Sequence, residues 1–304
     1  MKRILALLTI LAACAPAAPP AAAPAPVDRM AGLEAEVRRI IRAAAGDTAE
    51  VSVAFLDLGT GDSLLVDAHV RMHAASTMKV PVMMELFRRA GAGELRFDAP
   101  IPVRNSFVSI ADGGTYQLSP DDDSDGELYR RVGQQVPLRE LVERMITRSS
   151  NLATNTLIAE ARPDRIAQTM ERIGARDMHV LRGVEDQAAY DAGMNNTTTA
   201  YALMRVMRAV QDPAVVGEEA AREMQGILAR QEFTEMIPAG LPAGTRVANK
   251  TGNITRIAHD AAIVYPPGRA PYVLVVLTRG FADSKVAAGV GRDVSRAVWT
   301  HAAR

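Results

Sequence analysis

Between Met30 and Ala45 the apolar positions Leu33, Val37, Ile40 and Ile41 fall on one stripe, the spacing of an amphipathic helix. The period then changes, and VSVAFLDL, a Gly-Thr-Gly-Asp turn and SLLVDA predict a β-hairpin. A second helical pattern runs on from Met78, with Pro81 in the first turns, where a missing N–H is tolerated. The stretch from Pro102 to Pro137 carries Gly113-Gly114 and an acidic run at 121–125, and predicts loops with at most short strands. Leu138 to Ile173 is helical in two or three pieces, broken at Arg148-Ser149-Ser150-Asn151 and at Pro163. Arg182 to Thr199 is polar and too long for a routine connection, which marks it as a candidate functional loop. Helices are predicted over Thr199–Val210 and Gly217–Arg230. β character then returns at Arg246–Thr251 and in AAIVYPPGRAPYVLVVLT, two strands joined by a Pro-Pro-Gly turn, before a last helix from Ser284 to His301.

The apolar segments at the two ends need each other to bury their faces. The order predicts an α/β (α+β) fold in which both ends build one antiparallel sheet, covered by the terminal helices. The α/β lobe would take residues 29–75 and 235–304, with a helical lobe, 76–234, inserted and a pocket where the lobes meet. Thirty-five basic and 35 acidic residues leave no basic excess, so nucleic acid is not an expected partner. The start changes the picture more than the charge does. MKR, the apolar run ILALLTILAA and Leu11-Ala12-Ala13-Cys14 resemble a lipoprotein signal peptide (residues 1–13) ending at a bacterial lipobox. Cys14 is the sole cysteine, so no intrachain disulfide is possible. Residues 14–28 are an Ala/Pro-rich tether that cannot pack a core. The expectation is a monomeric domain from residue 29 on, exported and held to a membrane of the bacterial envelope by a lipid on Cys14.

Three short signals carry the candidate chemistry. In HAASTMKVPVMMELF, Ser76 and Lys79 are three residues apart and share a helical face, which suits either a cap with a surface lysine or a nucleophile with its base. Ser149-Ser150-Asn151 falls at a helix break, and Lys250-Thr251-Gly252 at the end of a strand. Each alone has an ordinary structural reading. In this order they resemble the S-x-x-K, S-D-N and K-T-G set of class A β-lactamases and penicillin-binding enzymes. The likeness extends to His73-Ala74-Ala75, to MITRSSNLATNTLI from Met145, to Asn196-Thr197-Thr198-Thr199-Ala200 and to the whole stretch from Lys250 to Thr278.

That resemblance implies a five-stranded antiparallel sheet flanked by helices, and β-lactam opening through a Ser76 acyl-enzyme without metal or cofactor. Lys79 would be the base, its pKa depressed by the like charge of Lys250, and Ser149 a proton shuttle between them. The N–H groups of Ser76 and Asn253 would form the oxyanion hole. Asn151 would bind the substrate's side-chain amide, and Thr251 with Lys250, beside Gly252, its carboxylate. Arg256 is a second candidate for that carboxylate. A small-molecule β-lactam or a peptidoglycan-like peptide is the substrate expected.

The loop from Arg182 departs from the family, whose pattern there is R-x-E-x-x-L-N. RGVEDQAAYDAGMNNTTTA places Glu185 one residue further from the arginine, lacks Leu-Asn, and has Asn196 where the family's aspartate would pair with that arginine. Glu185 is the choice for activating the deacylating water and Asp186 the alternative, against a reading of both as solvated carboxylates. The departure keeps two rivals in play: a D-alanyl-D-alanine peptidase or related penicillin-binding acyl hydrolase, and a penicillin-binding sensor without turnover. Asp121-x-Asp123-x-Asp125-Gly126 mimics the start of a calcium loop, but Val132 stands at the twelfth position, so a solvated acidic loop is expected. The five histidines show no H-E-x-x-H pairing, and His259 is expected to pack or hydrogen-bond beside a strand.

Overall fold

In the computed structural model, residues 29–46 and 48–302 are described, so Cys14 and the Ala/Pro tether lie outside the described residues. Five strands form the main sheet: β1 (Glu50–Asp57), β2 (Ser63–Val66), β3 (Arg246–Ile254), β4 (Ile257–Tyr265) and β5 (Tyr272–Arg279). Their order is β2-β1-β5-β4-β3, antiparallel throughout, so both chain ends do build one sheet. β1 meets β5 with Glu50 opposite Arg279 and Asp57 opposite Tyr272. The central strand β5 is buried from Tyr272 to Thr278 because both sheet faces are covered, which is why its sequence shows no polar alternation.

The two-residue period of the strands sorts their side chains into two cores. Val53, Phe55, Ala262, Leu274 and Val276 pack with Leu33 and Val37 of α1 (Arg29–Ala45) and with Val290, Val294 and Val298 of the last helix, α10 (Ser284–Ala302). Their neighbours Ala54, Ala261, Ile263, Val273 and Val275 face the other core. There lie α2 (Lys79–Gly91), α3 (Leu138–Thr147), α4 (Asn151–Ala161), α5 (Pro163–Arg172), α7 (Ala200–Gln211) and α9 (Glu218–Leu228). Two short helices, α6 (Gln187–Asp191) and α8 (Pro213–Val216), complete the set among the described residues. α2 is buried from Lys79 through Phe87, so the helix after Ser76 is the hub of the helical layer. The breaks fall where expected: Ser150 caps α4 through Ala153 N–H, and Arg162 adopts φ +61° before Pro163 opens α5.

Two differences from the predicted elements affect the site. Ser76 does not cap the helix. It lies inside a 3₁₀ turn, Ala75–Met78, and α2 begins only at Lys79. β3 and β4 are longer than expected and meet at a two-residue turn, because His259 and Asp260, polar but fully buried, interrupt the apolar signal of β4. The stretch 100–137 has two short strand pairs, Phe107–Val108 with Thr115–Tyr116 and Pro100–Pro102 with Gln135–Pro137, and a 3₁₀ turn at Leu128–Arg131. Among the described residues no helix is long and apolar enough to cross a membrane.

Candidate active site

The turn that carries Ser76 is held from below. Ala75 sits at φ +45°, a costly conformation for a residue with a Cβ. His73 Nδ1 accepts the Ala75 N–H at 3.0 Å, and Thr77 Oγ1 donates to Ala74 O at 2.6 Å. His259 Nδ1 accepts the Thr278 N–H at 3.1 Å, so its other nitrogen carries the proton and donates to His73 O at 2.9 Å. Burial pushes the His259 pKa down to about 4, which keeps this strut neutral between the sheet and the Ser76 turn. Gly252 of β3 passes so close that a Cβ there would stand 3.0 Å from Ser76 N and 3.1 Å from Ala75 Cβ. A glycine lets the Lys-Thr-Gly strand lie against the Ser76 backbone without pushing it aside.

Two buried lysines meet at one hydroxyl. Lys79 Nζ donates to Ser149 O at 2.5 Å, to Ser149 Oγ at 3.2 Å and to Asn151 Oδ1 at 2.8 Å. Lys250 Nζ donates to the same Ser149 Oγ at 3.0 Å and to Thr251 O at 2.9 Å. Ser149 is held at φ +57° to reach both. Burial lowers the Lys79 pKa to about 7, while the Asp123 and Glu185 carboxylates pull it back up. This corrects the expected cause, since desolvation rather than the charge of Lys250 depresses Lys79. Lys250 falls well below the usual lysine value, first through burial and then through the like charge of Lys79. A hydroxyl between one charged and one neutral lysine can accept from the first and donate to the second, so the trio forms a path for a proton. Among the described residues no hydrogen bond joins Lys79 to Ser76 Oγ in this arrangement.

The acidic side of the site comes from the Arg182–Thr199 loop. Asn151 bridges to it, for its Nδ2 donates to Glu185 Oε1 at 2.6 Å while its Oδ1 holds Lys79. Partial desolvation raises the Glu185 pKa above the usual carboxylate range, and Glu185 sits at φ +60°. Asp186 does other work. It is buried, caps α6 through Ala189 N–H at 3.0 Å, and accepts Ser109 Oγ at 2.7 Å and Ile110 N–H at 3.1 Å. These contacts occupy it as the clamp between the loop and the Phe107–Tyr116 hairpin, so it is neither a solvated carboxylate nor an available base.

The side chain that pairs with the arginine is that of the residue before Asn196. Arg182 Nη2 donates to Asn195 Oδ1 at 2.9 Å, whereas the Asn196 side chain pairs with the backbone of Leu181 and Arg182. Arg256 lies exposed at φ +60° in the β3–β4 turn, and its guanidinium donates to Gly280 O. Thr251 is buried next to Lys250, and Asn253 is exposed on β3 opposite Ala258.

One residue the motifs did not mark holds this loop in place. Asn155 Oδ1 accepts the Val184 N–H at 2.6 Å, and its Nδ2 donates to Val184 O at 2.9 Å and to Tyr116 OH at 3.3 Å. Gly183 packs flat on the Asn155 amide, where any Cβ would collide with it. Asn151 and Asn155 are four apart on α4 and therefore share a face, which was the available signal in SSNLATN.

The model of the beta-lactamase enzyme family matches residues 32–302 of the chain. The chain is 30% identical over 234 residues to beta-lactamase AST-1 of Nocardia asteroides, covering 76% of this chain and 71% of that protein. An ancestral class A beta-lactamase superposes with a TM-score of 0.75 at 25% identity, over 88% of this chain and 99% of the other. A PBP-A variant solved as its acyl-enzyme with penicillin G superposes with a TM-score of 0.74 at 23% identity, over 89% and 96%, a likeness of fold.

Proposed function

Because the chain belongs to the beta-lactamase enzyme family, we propose that it hydrolyses the β-lactam amide through an acyl-enzyme on Ser76. The observation that carries the reading is Ser149 Oγ held between Lys79 and Lys250, both buried and both with depressed pKa values, beside the Ser76 turn. In the first half-reaction Ser76 Oγ attacks the lactam carbonyl and its proton passes to neutral Lys79. The C–N bond then breaks, and the ring nitrogen takes a proton relayed through Ser149. The N–H groups of Ser76 and Asn253 would carry the developing oxyanion, with Asn151 and Thr251 on the substrate's amide and carboxylate. In the second half-reaction Glu185 removes a proton from water, which attacks the ester. As the ester C–O bond breaks, Ser76 Oγ takes that proton back from Glu185, by way of Lys79, so both side chains return to their starting states. Every proton has a side-chain carrier.

One observation favours a second reading. Glu185 departs from the family spacing and its Oε1 is taken by Asn151, so a loop that deacylates slowly would make the chain a penicillin-binding peptidase. We further propose that the chain acts as a monomer anchored in the bacterial envelope through a lipid on Cys14, a reading supported by the lipobox-like sequence.

The test is a time course of the soluble domain with a chromogenic cephalosporin, following ring opening and covalent protein mass together. Many turnovers with little lasting adduct are expected. One equivalent of ring opening with a stable added mass would instead mean a penicillin-binding peptidase or sensor.

A further inference from the structure

The acidic run expected to be solvated contains two buried aspartates, Asp123 at 8% and Asp125 at 2% exposure. Asp125 is accounted for by Arg144 at 2.9 Å and Arg148 at 3.2 Å. Asp123 forms no ion pair among the described residues. Its carboxylate instead gathers donors from the turn after Ser149. Asn151 N–H reaches Oδ1 at 3.1 Å and Oδ2 at 2.9 Å, and Leu152 N–H reaches Oδ2 at 2.9 Å. Tyr129 OH donates to Oδ2 at 3.1 Å, and Asp125 N–H to Oδ1 at 3.1 Å, so the carboxylate itself is fixed. Asn151 and Leu152 open α4, where unpaired N–H groups and the helix dipole favour an anion. The chain has no carboxylate of its own there, because the middle position of Ser149-Ser150-Asn151 is a serine that reaches only Ala153 N–H, at 3.2 Å. A segment more than twenty residues upstream supplies it.

We propose that Asp123 is a positioning residue for acylation, gripping the Asn151 and Leu152 amides so that Ser149 Oγ stays between the two lysines and the Asn151 side chain stays on Lys79 and Glu185. This rests on the reading of Ser76, Lys79 and Ser149 as the acylating group. Ser149 is held at φ +57° and needs such an external grip, since the turn would relax without it. The same carboxylate acts on the charges, raising the pKa of Lys79 and of Glu185.

The experiment uses the full chain carrying Asp123→Asn, with Asp121→Asn as a neighbouring charge control and Tyr129→Phe as a gentler way to loosen Asp123. Hydrogen exchange across residues 149–153 reads the grip, and the rate constant of Ser76 acylation by a labelled penicillin is followed against pH. Asp123→Asn is expected to expose the 151 and 152 amides and slow acylation about ten- to a hundredfold. Its pH midpoint should move to lower pH, since losing a nearby negative charge lowers the Lys79 pKa. Tyr129→Phe, which keeps the Asp123 charge, should loosen the 151 and 152 amides and slow acylation by less, with the pH midpoint unmoved, and decides the matter if Asp123→Asn does not fold. Asp121→Asn should behave as wild type. Wild-type acylation with an unmoved midpoint, even alongside a lowered melting temperature, would overturn the proposal, as would unchanged amide protection. If the wild type itself takes no label, the acylation reading fails, and exchange alone still judges the grip of Asp123.

Discussion

The lysine side and the glutamate side of the site differ in what holds them. Lys79 and Lys250 are themselves fully buried, on α2 and β3, and their common partner Ser149 joins α3 to α4. Glu185 stands on a loop whose only helix is five residues long, and its position depends on side chains reaching in from elsewhere. Asn155 of α4 takes both backbone groups of Val184, and Asp186 ties the loop to the Phe107–Tyr116 hairpin. In the proposed mechanism acylation therefore rests on buried elements of the fold, and deacylation on a loop held by side-chain contacts from elsewhere. The comparison teaches where a peptidase and a hydrolase on one scaffold can diverge.

The comparison can be broken most severely at its common point. Ser76→Ala should abolish covalent labelling by penicillin and cut ring opening by a factor on the order of 10⁴ or more. Persistent labelling seen by intact-protein mass would remove Ser76 from its role. Next in size, Gly252→Ala should slow acylation about tenfold, because the added Cβ presses on the Ser76 amide. Single-turnover kinetics would show it, and deacylation, whose oxyanion forms at the same Ser76 amide, should slow as well.

On the glutamate side, Asn155→Ala should leave Val184 N–H and O unpaired and cost about 1–3 kcal/mol of stability. It should slow deacylation more than acylation, which a comparison of burst and steady-state rates would reveal. An equal effect on both steps would show that the loop is not a separate part. The mildest test is pH. Lys79 must be neutral to accept the Ser76 proton, and its pKa of about 7 means the acylation rate should fall as pH drops below about 7. A rate flat down to pH 5 would argue against Lys79 as the base.

The two sides also differed in how far the sequence disclosed them. Ser76, Lys79, Ser149 and Lys250 lie in three short motifs that are ordinary one by one and whose order resembles a known family's set, and that resemblance singled them out. The sheet was legible from its apolar runs and turns, except where buried His259 and Asp260 masked the length of β4. The glutamate side is held by tertiary contacts that no local spacing encodes. Asp186 looks like the twin of Glu185 until Ser109 and Ile110 are seen to claim it. Arg182 pairs with Asn195, one residue before the position where the family has its aspartate. Asp123 read as solvent-facing because its partners, the amides opening α4, are backbone groups and leave no mark on composition.

The most direct test of the division of labour is Glu185→Gln mixed with penicillin and followed by intact mass. The site predicts normal acylation, then a Ser76 adduct of one equivalent that persists because deacylation falls by about 10² or more. An adduct that clears at the wild-type rate would contradict it, and would remove Glu185 as the base for the second half-reaction.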